Sequence, residues 1–474
     1  MVFSSVTFLF YFFPAVLILY FLCSFNRTLQ NLVLLASSLV FYAWGEPVNI
    51  LILLGSIAVN TMAGYMVASG SEKKRKAVLV IDIVINLFVL FVFKYLCFVL
   101  DIFSPVIGKT GLSIALPIGI SFFTFQALSY VIDVYKGIVK PENPFTVGLY
   151  ISFFPQLIAG PIIQYKTVAD QIKNRKLTFD KFAAGMSRFA IGVIKKVLLA
   201  NTFASLADNI FNWSSIGNDY YSVPALLAWL GSISYTLQIY YDFSAYSDMA
   251  IGLALCFGFK FGENFNYPYS ATSINDFWKR WHISLTDWFR EYVYFPLGGS
   301  RVANRDIMVR NLFIVWLLTG IWHGANWTFI VWGLFYFLVQ LAERFFKYPE
   351  KIKSMLLRRI YTLFIVNLAW VIFRADNLYQ AGIFIKNMFA FNHNGVLSSH
   401  AFMLLRENWV FLLAGIFFSA PVVRTVNEYM YDDPDRPLVK FLFFGYPFVI
   451  IILFLISAGY LMSGSYNPFI YFNF

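Results

Sequence analysis

Charge is scarce in this sequence. Only 13% of its 474 residues are Asp, Glu, Lys or Arg, where a water-soluble domain carries about a quarter. Long alternations of polar and apolar residues are missing as well, which excludes a membrane β-barrel. Three cysteines, Cys23, Cys97 and Cys256, stand far apart in apolar sequence. That spacing argues against a disulfide framework or a zinc site and leaves them as small buried hydrophobes. No HExxH, G-x-S-x-G or P-loop pattern occurs, so three common hydrolytic and nucleotide chemistries are set aside and no metal site is expected. The net charge of +11 would suit nucleic acid in a soluble chain. In a membrane protein the same residues mark cytoplasmic loops, and no nucleic-acid partner is expected.

What is abundant is apolar sequence, 59% of the chain, in recurring runs long enough to cross a hydrocarbon core. The fold class is therefore an all-α polytopic membrane protein. Spans are expected at 6–23, 29–44, 48–67, 77–100, 114–132, 197–212, 223–241, 243–259, 311–342, 360–373, 409–427 and 438–462, giving ~10–12 passes with re-entrant pieces included. The first run lacks a preceding basic segment and a small-residue cleavage site, so it reads as a retained span. No internal repeat or low-complexity linker appears, and residues 1–474 read as a single membrane domain.

Orientation follows the basic residues. "SEKKRK" at 71–76 and Arg27 are assigned to the cytoplasm, as are Lys136, Lys140 and the group Lys173, Arg175, Lys176, Lys181, Lys195 and Lys196. "VRTVNEYMYDDPDRPLVK" at 423–440 is placed inside and the terminal "SGSYNPFIYFNF" outside, so both termini are expected to be extracytoplasmic. "LYISFFPQLIAGPIIQY" is apolar yet interrupted by Pro155, Gly160 and Pro161, which suits a broken re-entrant hairpin. "ALPIGISFFTFQALSYVIDVY" puts Pro117, Gly119, Gln126, Ser129 and Asp133 in one apolar segment. Both stretches are expected to wall an internal cavity.

Two stretches carry chemistry. In "NDFWKRWHISLTDWFREYVYFPLGG" a helix capped by Ser273 or Asn275 is expected to run through Trp288. Trp278, Trp281, Leu285 and Trp288 then form an aromatic stripe, whose plainest account is an interfacial amphipathic helix. His282 lies beside the stripe, and Lys279, Arg280 and Arg290 offer cations to a phosphate-bearing ligand. In "LLTGIWHGANW" His323 sits deep in an apolar run flanked by Arg301, Arg305 and Arg310 and by Arg344, Lys347 and Lys351. Gly320 and Gly324 are expected to break the helix there. If both flanks are cytoplasmic the run is a hairpin turning near His323, and the imidazole lies roughly 20 Å from Arg310. An intramembrane ionisable residue is by default a functional one. The bland alternative is a structural histidine packed on Trp322 or Trp327. His393 and His400, the other two histidines, read as solvent-exposed loop.

The two histidine motifs together resemble the membrane-bound O-acyltransferase superfamily, most of all the bacterial alginate O-acetylase membrane subunit group. "PIGISFFTFQALSYVIDVYKG", "FFPQLIAGPI", "YYDFSAYSDMAIG" and "NPFIYFNF" carry the same resemblance, which covers nearly the whole chain. It implies a ring of tilted helices around a central channel. It also implies catalytic roles for His323, the family's invariant histidine, and for His282, the second motif histidine. Acyl-donor binding falls to Asn275, Trp278, Lys279, Arg280, Trp281, Arg290, Trp322 and Asn326, and Gln126, Asp242, Ser244 and Tyr246 are candidates to line the channel. His323 would act as general base on an acceptor hydroxyl or carry the acetyl itself.

Acetyl-CoA is the implied co-substrate, with no tightly bound cofactor. The implied partners are an extracytoplasmic acetyltransferase, a polysaccharide acceptor reached through it, and membrane lipids, in the inner membrane of a bacterium. The acceptors left open are an alginate-like exopolysaccharide, cellulose and peptidoglycan. The competing readings are a D-alanyl or other acyl transferase of the same superfamily and a polytopic glycolipid transporter.

Overall fold

The structure, a computed structural model, describes residues 1–108, 110–213, 222–299, 304–432 and 437–469. Arg301, residues 433–436 of the segment assigned to the inside, and residues 470–474 of the terminal motif lie outside the described residues. All described secondary structure is helical. Among the described residues eight helices are long and apolar enough to cross a membrane: Arg27–Gly45 (α2), Ile50–Ala68 (α3), Glu72–Val106 (α4), Phe179–Phe211 (α9), Trp327–Phe346 (α14), Met355–Arg374 (α15), Ser399–Ser419 (α17) and Phe444–Met462 within Pro437–Met462 (α19). Two shorter apolar helices, Phe8–Leu22 (α1) and Ile120–Tyr135 (α5), join them. The chain is a polytopic all-α membrane protein.

The helices group into two compact units. One comprises residues 1–192 and 246–263, the other 193–245 and 264–474. In the first unit α5 is buried almost throughout, its polar Gln126, Ser129 and Asp133 included. Gly119, at φ 78°, starts it. A Cβ there would meet the Leu157 carbonyl oxygen at 2.6 Å, so only glycine lets the two backbones approach. The stretch around Pro155 is broken as expected, into Pro144–Ser152 (α6), Phe154–Leu157 (α7) and an irregular segment before Tyr165–Asn174 (α8). It lines a recess of about 10 Å³ beside Tyr150 and Gln156. The Arg175 side chain is buried, bonding Asn31, Tyr20 and the Phe257 carbonyl, so this residue clamps the core of the unit.

Two expectations about helices are corrected, and one left open is decided. The spans at 223–241 and 243–259 are one helix, Ala225–Cys256 (α10), about 48 Å long at the usual rise. Asp242, which falls between the two expected spans, is neutralised by Lys196 at 2.7 Å, both side chains almost wholly buried, and the helix runs through it. Lys196 therefore belongs to a buried pair and marks no loop. The run 311–342 takes the hairpin form, two helices, Arg305–His323 (α13) and α14, joined by a three-residue turn after His323. The helix expected through Trp288 breaks at His282 into Ile274–Trp278 (α11) and Ile283–Phe289 (α12). Among the cysteines only Cys256 is buried; Cys23 and Cys97 are half-buried. His400 is helical, the second residue of α17, its ring 5.5 Å from that of Trp213, while His393 is exposed as expected.

Candidate active site

His323 is the last residue of α13 and lies about 20 Å along the helix from Arg310. The chain then turns through Gly324, Ala325 and Asn326 into α14, forming the hairpin expected if both flanks share one side. Gly320 does not break the helix. It lets α14 lie against α13: a Cβ on Gly320 would meet the Phe329 carbonyl oxygen at 2.6 Å, and one on Gly333 the Trp316 carbonyl oxygen at 2.5 Å. Trp316 Nε1 donates to Gln340 Oε1 at 3.0 Å and ties the helices together again. Gly324 faces Phe329, whose ring would lie 2.3 Å from an added Cβ. The backbone approach thus fixes where the imidazole ends up.

Around that imidazole the walls are aromatic. Ring centroids of Trp322, Trp332 and Phe373 lie 5.0, 4.9 and 5.2 Å from His323, each near edge-on. His323 is 7% exposed, so nearly all of its water has been replaced by ring faces and edges.

His282 is reached by a different construction. Ser273 caps α11 by accepting from the Asp276 N–H at 3.0 Å, as the sequence suggests. Four residues beyond that helix the backbone enters the left-handed region at His282, φ 43°, a conformation histidine tolerates better than most bulky residues. The stretch 264–266 runs alongside and bonds it: Ile283 N donates to Asn264 O at 3.0 Å and Asn266 N to Arg280 O at 2.9 Å. The side chain of His282 is 1% exposed, edge-on to Phe243 at 4.6 Å and 6.0 Å from the Trp322 ring. The segment lies outside the membrane-crossing helices, and burial alone pushes the imidazole down to about 3, so it is neutral at physiological pH. Trp322 touches both imidazoles, which brings the two motif histidines to one aromatic site.

The aromatic stripe is not an interfacial face. Trp278, Trp281 and Trp288 are all buried, Trp281 packing on Phe265, Phe277 and Trp370. The turn at His282 replaces helical periodicity with inward packing from both sides.

A groove of about 620 Å³ opens beside α11 and α12. Its lining includes Asn275, Trp278, Lys279 and Arg290 from the donor set, with Ser273, Thr286, Gln340, Glu343, Arg344, Lys347 and Tyr348. Lys279, Arg290, Arg344 and Lys347 give it four cations. Glu343 accepts from the N–H groups of Ile274 and Asn275 at 2.9 and 3.2 Å and anchors α11 on α14. From the groove wall inward the rings are continuous: Trp278 lies 5.6 Å from Trp332, and Trp332 touches His323.

The other expected site residues lie elsewhere. Arg280 is paired with Asp276 at 2.8 Å and does not line the groove, and Trp281 is in the core. Asn326 caps α14 through the Thr328 N–H and bonds the Asp376 carbonyl. Asp242 is held by Lys196, and Ser244 is buried two residues on. Gln126 and Tyr246 belong to the first unit, Gln126 with its side-chain amide unpaired among the described residues. Arg344 and Lys347 were visible in the sequence only as flanking basic residues, and nothing local points to Asn264, Gln340 or Glu343.

Comparison with known proteins bears on the family. The model of the membrane-bound O-acyltransferase family matches residues 85–379. The chain is 38% identical to a probable alginate O-acetylase AlgI of Azotobacter vinelandii, over 100% of both chains. It is 43% identical to the Pseudomonas aeruginosa protein of the same name, over 82% of this chain and 75% of that one. A peptidoglycan O-acetyltransferase of Helicobacter pylori is 34% identical over 100% of this chain and 98% of its own.

Proposed function

Because the chain belongs to the membrane-bound O-acyltransferase family and is an O-acetyltransferase, we propose that it takes acetyl from cytoplasmic acetyl-CoA and passes it across a bacterial inner membrane. The acceptor is an extracytoplasmic acetyltransferase that modifies a polysaccharide, of the alginate or peptidoglycan kind named for the relatives. The observation that carries the donor half is the cationic groove, whose wall residue Trp278 packs on a ring in contact with His323. Its four cations suit the phosphates of a nucleotide thioester, and its indole and phenol rings suit the adenine and the pantetheine arm.

In this reading the groove orders the donor and the thioester carbonyl reaches the aromatic pocket. A neutral imidazole at His323 takes the proton of an acceptor hydroxyl as that oxygen attacks the carbonyl carbon. The carbon–sulfur bond then breaks and the CoA thiolate leaves with the proton. The dry aromatic wall keeps water from competing for the acyl group. His282, also neutral, presents a second nitrogen to the bound substrates.

Purified protein in lipid vesicles, supplied with acetyl-labelled acetyl-CoA, tests the reading. The expected result is CoA release coupled to transfer of label to a co-reconstituted partner transferase. Release from another acyl thioester but not from acetyl-CoA would favour a different acyl group, as in D-alanylation. Movement of a glycolipid with no thioester cleavage would overturn the proposal.

A further inference from the structure

Asn264 is completely buried and its side-chain oxygen collects three contacts. It accepts from the Ser284 N–H at 3.2 Å and from the Ser284 hydroxyl at 2.8 Å, and it faces His282 Nδ1 at 3.2 Å. A backbone N–H can only donate, so the atom opposite it must be the amide oxygen and not the nitrogen. An amide oxygen can only accept. His282 Nδ1 therefore carries the proton.

A neutral imidazole protonated at Nδ1 has its lone pair on Nε2. That atom is buried and has no hydrogen-bond partner among the described residues. Leaving a buried acceptor unpaired costs free energy, and such an atom calls for an explanation in a native structure. The left-handed backbone at His282 adds a second local cost, held in place by the two backbone bonds to residues 264 and 266.

We infer that Asn264 is a positioning residue for the acyl transfer: it fixes the His282 tautomer so that Nε2 accepts a hydrogen bond from a bound substrate. Ser284 is its auxiliary, holding the amide with oxygen toward the ring. The inference rests on the acyl-transfer reading above, in which His282 faces the substrates across Trp322 from His323. Eighteen residues separate Asn264 from His282, so the pair is made by the fold and not by the motif that contains the histidine.

The test reads the tautomer directly. Protein labelled with ¹⁵N-histidine is reconstituted in vesicles, and solid-state NMR separates protonated from bare ring nitrogens. The four histidines are few enough for His282 to be assigned from the signal lost in His282→Gln. The wild type should show His282 protonated at Nδ1 and bare at Nε2. Asn264→Leu should move the proton or mix the two forms, whereas Asn264→Asp, which keeps an acceptor in place, should preserve Nδ1–H.

In acetyl transfer, Asn264→Leu should lower kcat about tenfold or more, the usual loss when an orienting partner of a functional histidine is removed. The KM for acetyl-CoA should stay within about twofold, since the groove is untouched, and Asn264→Asp should recover most of kcat. An Nε2-protonated ring in the wild type overturns the inference, and that spectrum needs no variant to fold. An unchanged tautomer in folded Asn264→Leu, or a changed tautomer with unchanged kcat, overturns it too. The spectrum is readable without any turnover, so loss of the acetyl-transfer reading would be seen separately as absent CoA release.

Discussion

The two histidines reach the same aromatic site by opposite means. His323 ends a long helix, and its place is set by backbone contact: Gly320 and Gly333 let α13 and α14 touch, and rings close over the imidazole. His282 sits between two short helices at a left-handed turn, and hydrogen bonds from residues 264–266 and Ser284 hold it. Packing of whole helices fixes depth well and ring orientation poorly. A hydrogen bond to one ring nitrogen fixes the proton. A site that must both hold a reactive group in a dry pocket and keep a defined lone pair gains from having one of each.

The strongest way to break this comparison is to remove the packed histidine. His323→Ala should lower acetyl transfer by about a thousandfold, within the range expected for losing a positioned general base. Protein level in the membrane and thermal stability should change little, because the walls of Trp322, Trp332 and Phe373 remain. Substantial turnover in this variant would show that the aromatic pocket merely buries a structural histidine.

The two regions also differ in how legible they were. The place of His323 along its helix can be read from the residue count to Arg310, because a helix converts residue count into length, although Gly320 was expected to break that helix and does not. The Ser273 cap is a local signal too, one of the two positions the sequence offers beside Asn275. The turn at His282 was not legible, since the tryptophan spacing fits a continuous helix and the bonds that break it come from residues far off in sequence. The division of 223–259 into two spans at Asp242 failed for the same reason: its counter-charge, Lys196, is on another helix. Arg344 and Lys347 carry the ordinary signature of a membrane flank, so only their convergence with Lys279 on one groove distinguishes them.

A second test strikes the packing itself. Gly333→Ala puts a methyl 2.5 Å from the Trp316 carbonyl oxygen, a backbone atom that cannot rotate away. The helices must part, at a cost of about 1–3 kcal/mol for overpacking. Thermal unfolding in detergent should drop measurably, and kcat should fall by about one order of magnitude as His323 moves relative to its walls, since displacements near 1 Å are costly at reacting centres. If kcat holds while stability drops, the hairpin contact supports the fold without setting the geometry of the imidazole.

The groove offers a third, milder perturbation, which should separate binding from chemistry. Neutralising Lys279 and Arg344 together, as Lys279→Gln and Arg344→Gln, removes two of its four cations. Exposed phosphate contacts are partly screened, so the pair should raise the acetyl-CoA KM about tenfold, equivalent to about 1.4 kcal/mol, with kcat changed by about twofold at most. The KM difference between this variant and the wild type should shrink as salt is raised for both, because the contacts it removes are screened. An unaltered KM in folded protein would leave these residues as anchors to lipid headgroups and the groove without its assigned ligand.

The smallest effect is expected one residue away, and it is the sharpest discriminator of the groove's edge. Arg280 follows Lys279 in sequence and looks equivalent to it, yet its guanidinium lies 2.8 Å from the Asp276 carboxylate four residues back and is outside the groove lining. A half-exposed pair at this spacing contributes about 0.3–0.5 kcal/mol to its helix. Arg280→Gln should therefore leave the acetyl-CoA KM within about twofold and cost at most that small stability, because Ser273 and Glu343 still anchor α11. Measured beside Lys279→Gln under the same salt, the two single variants ask whether charge alone near the site draws the donor or whether the groove's own residues do. Equal increases in KM would favour a diffuse field over a fitted site. A shift confined to Lys279 would place the phosphates against the groove wall, on the side where Trp278 leads inward to the ring that touches His323.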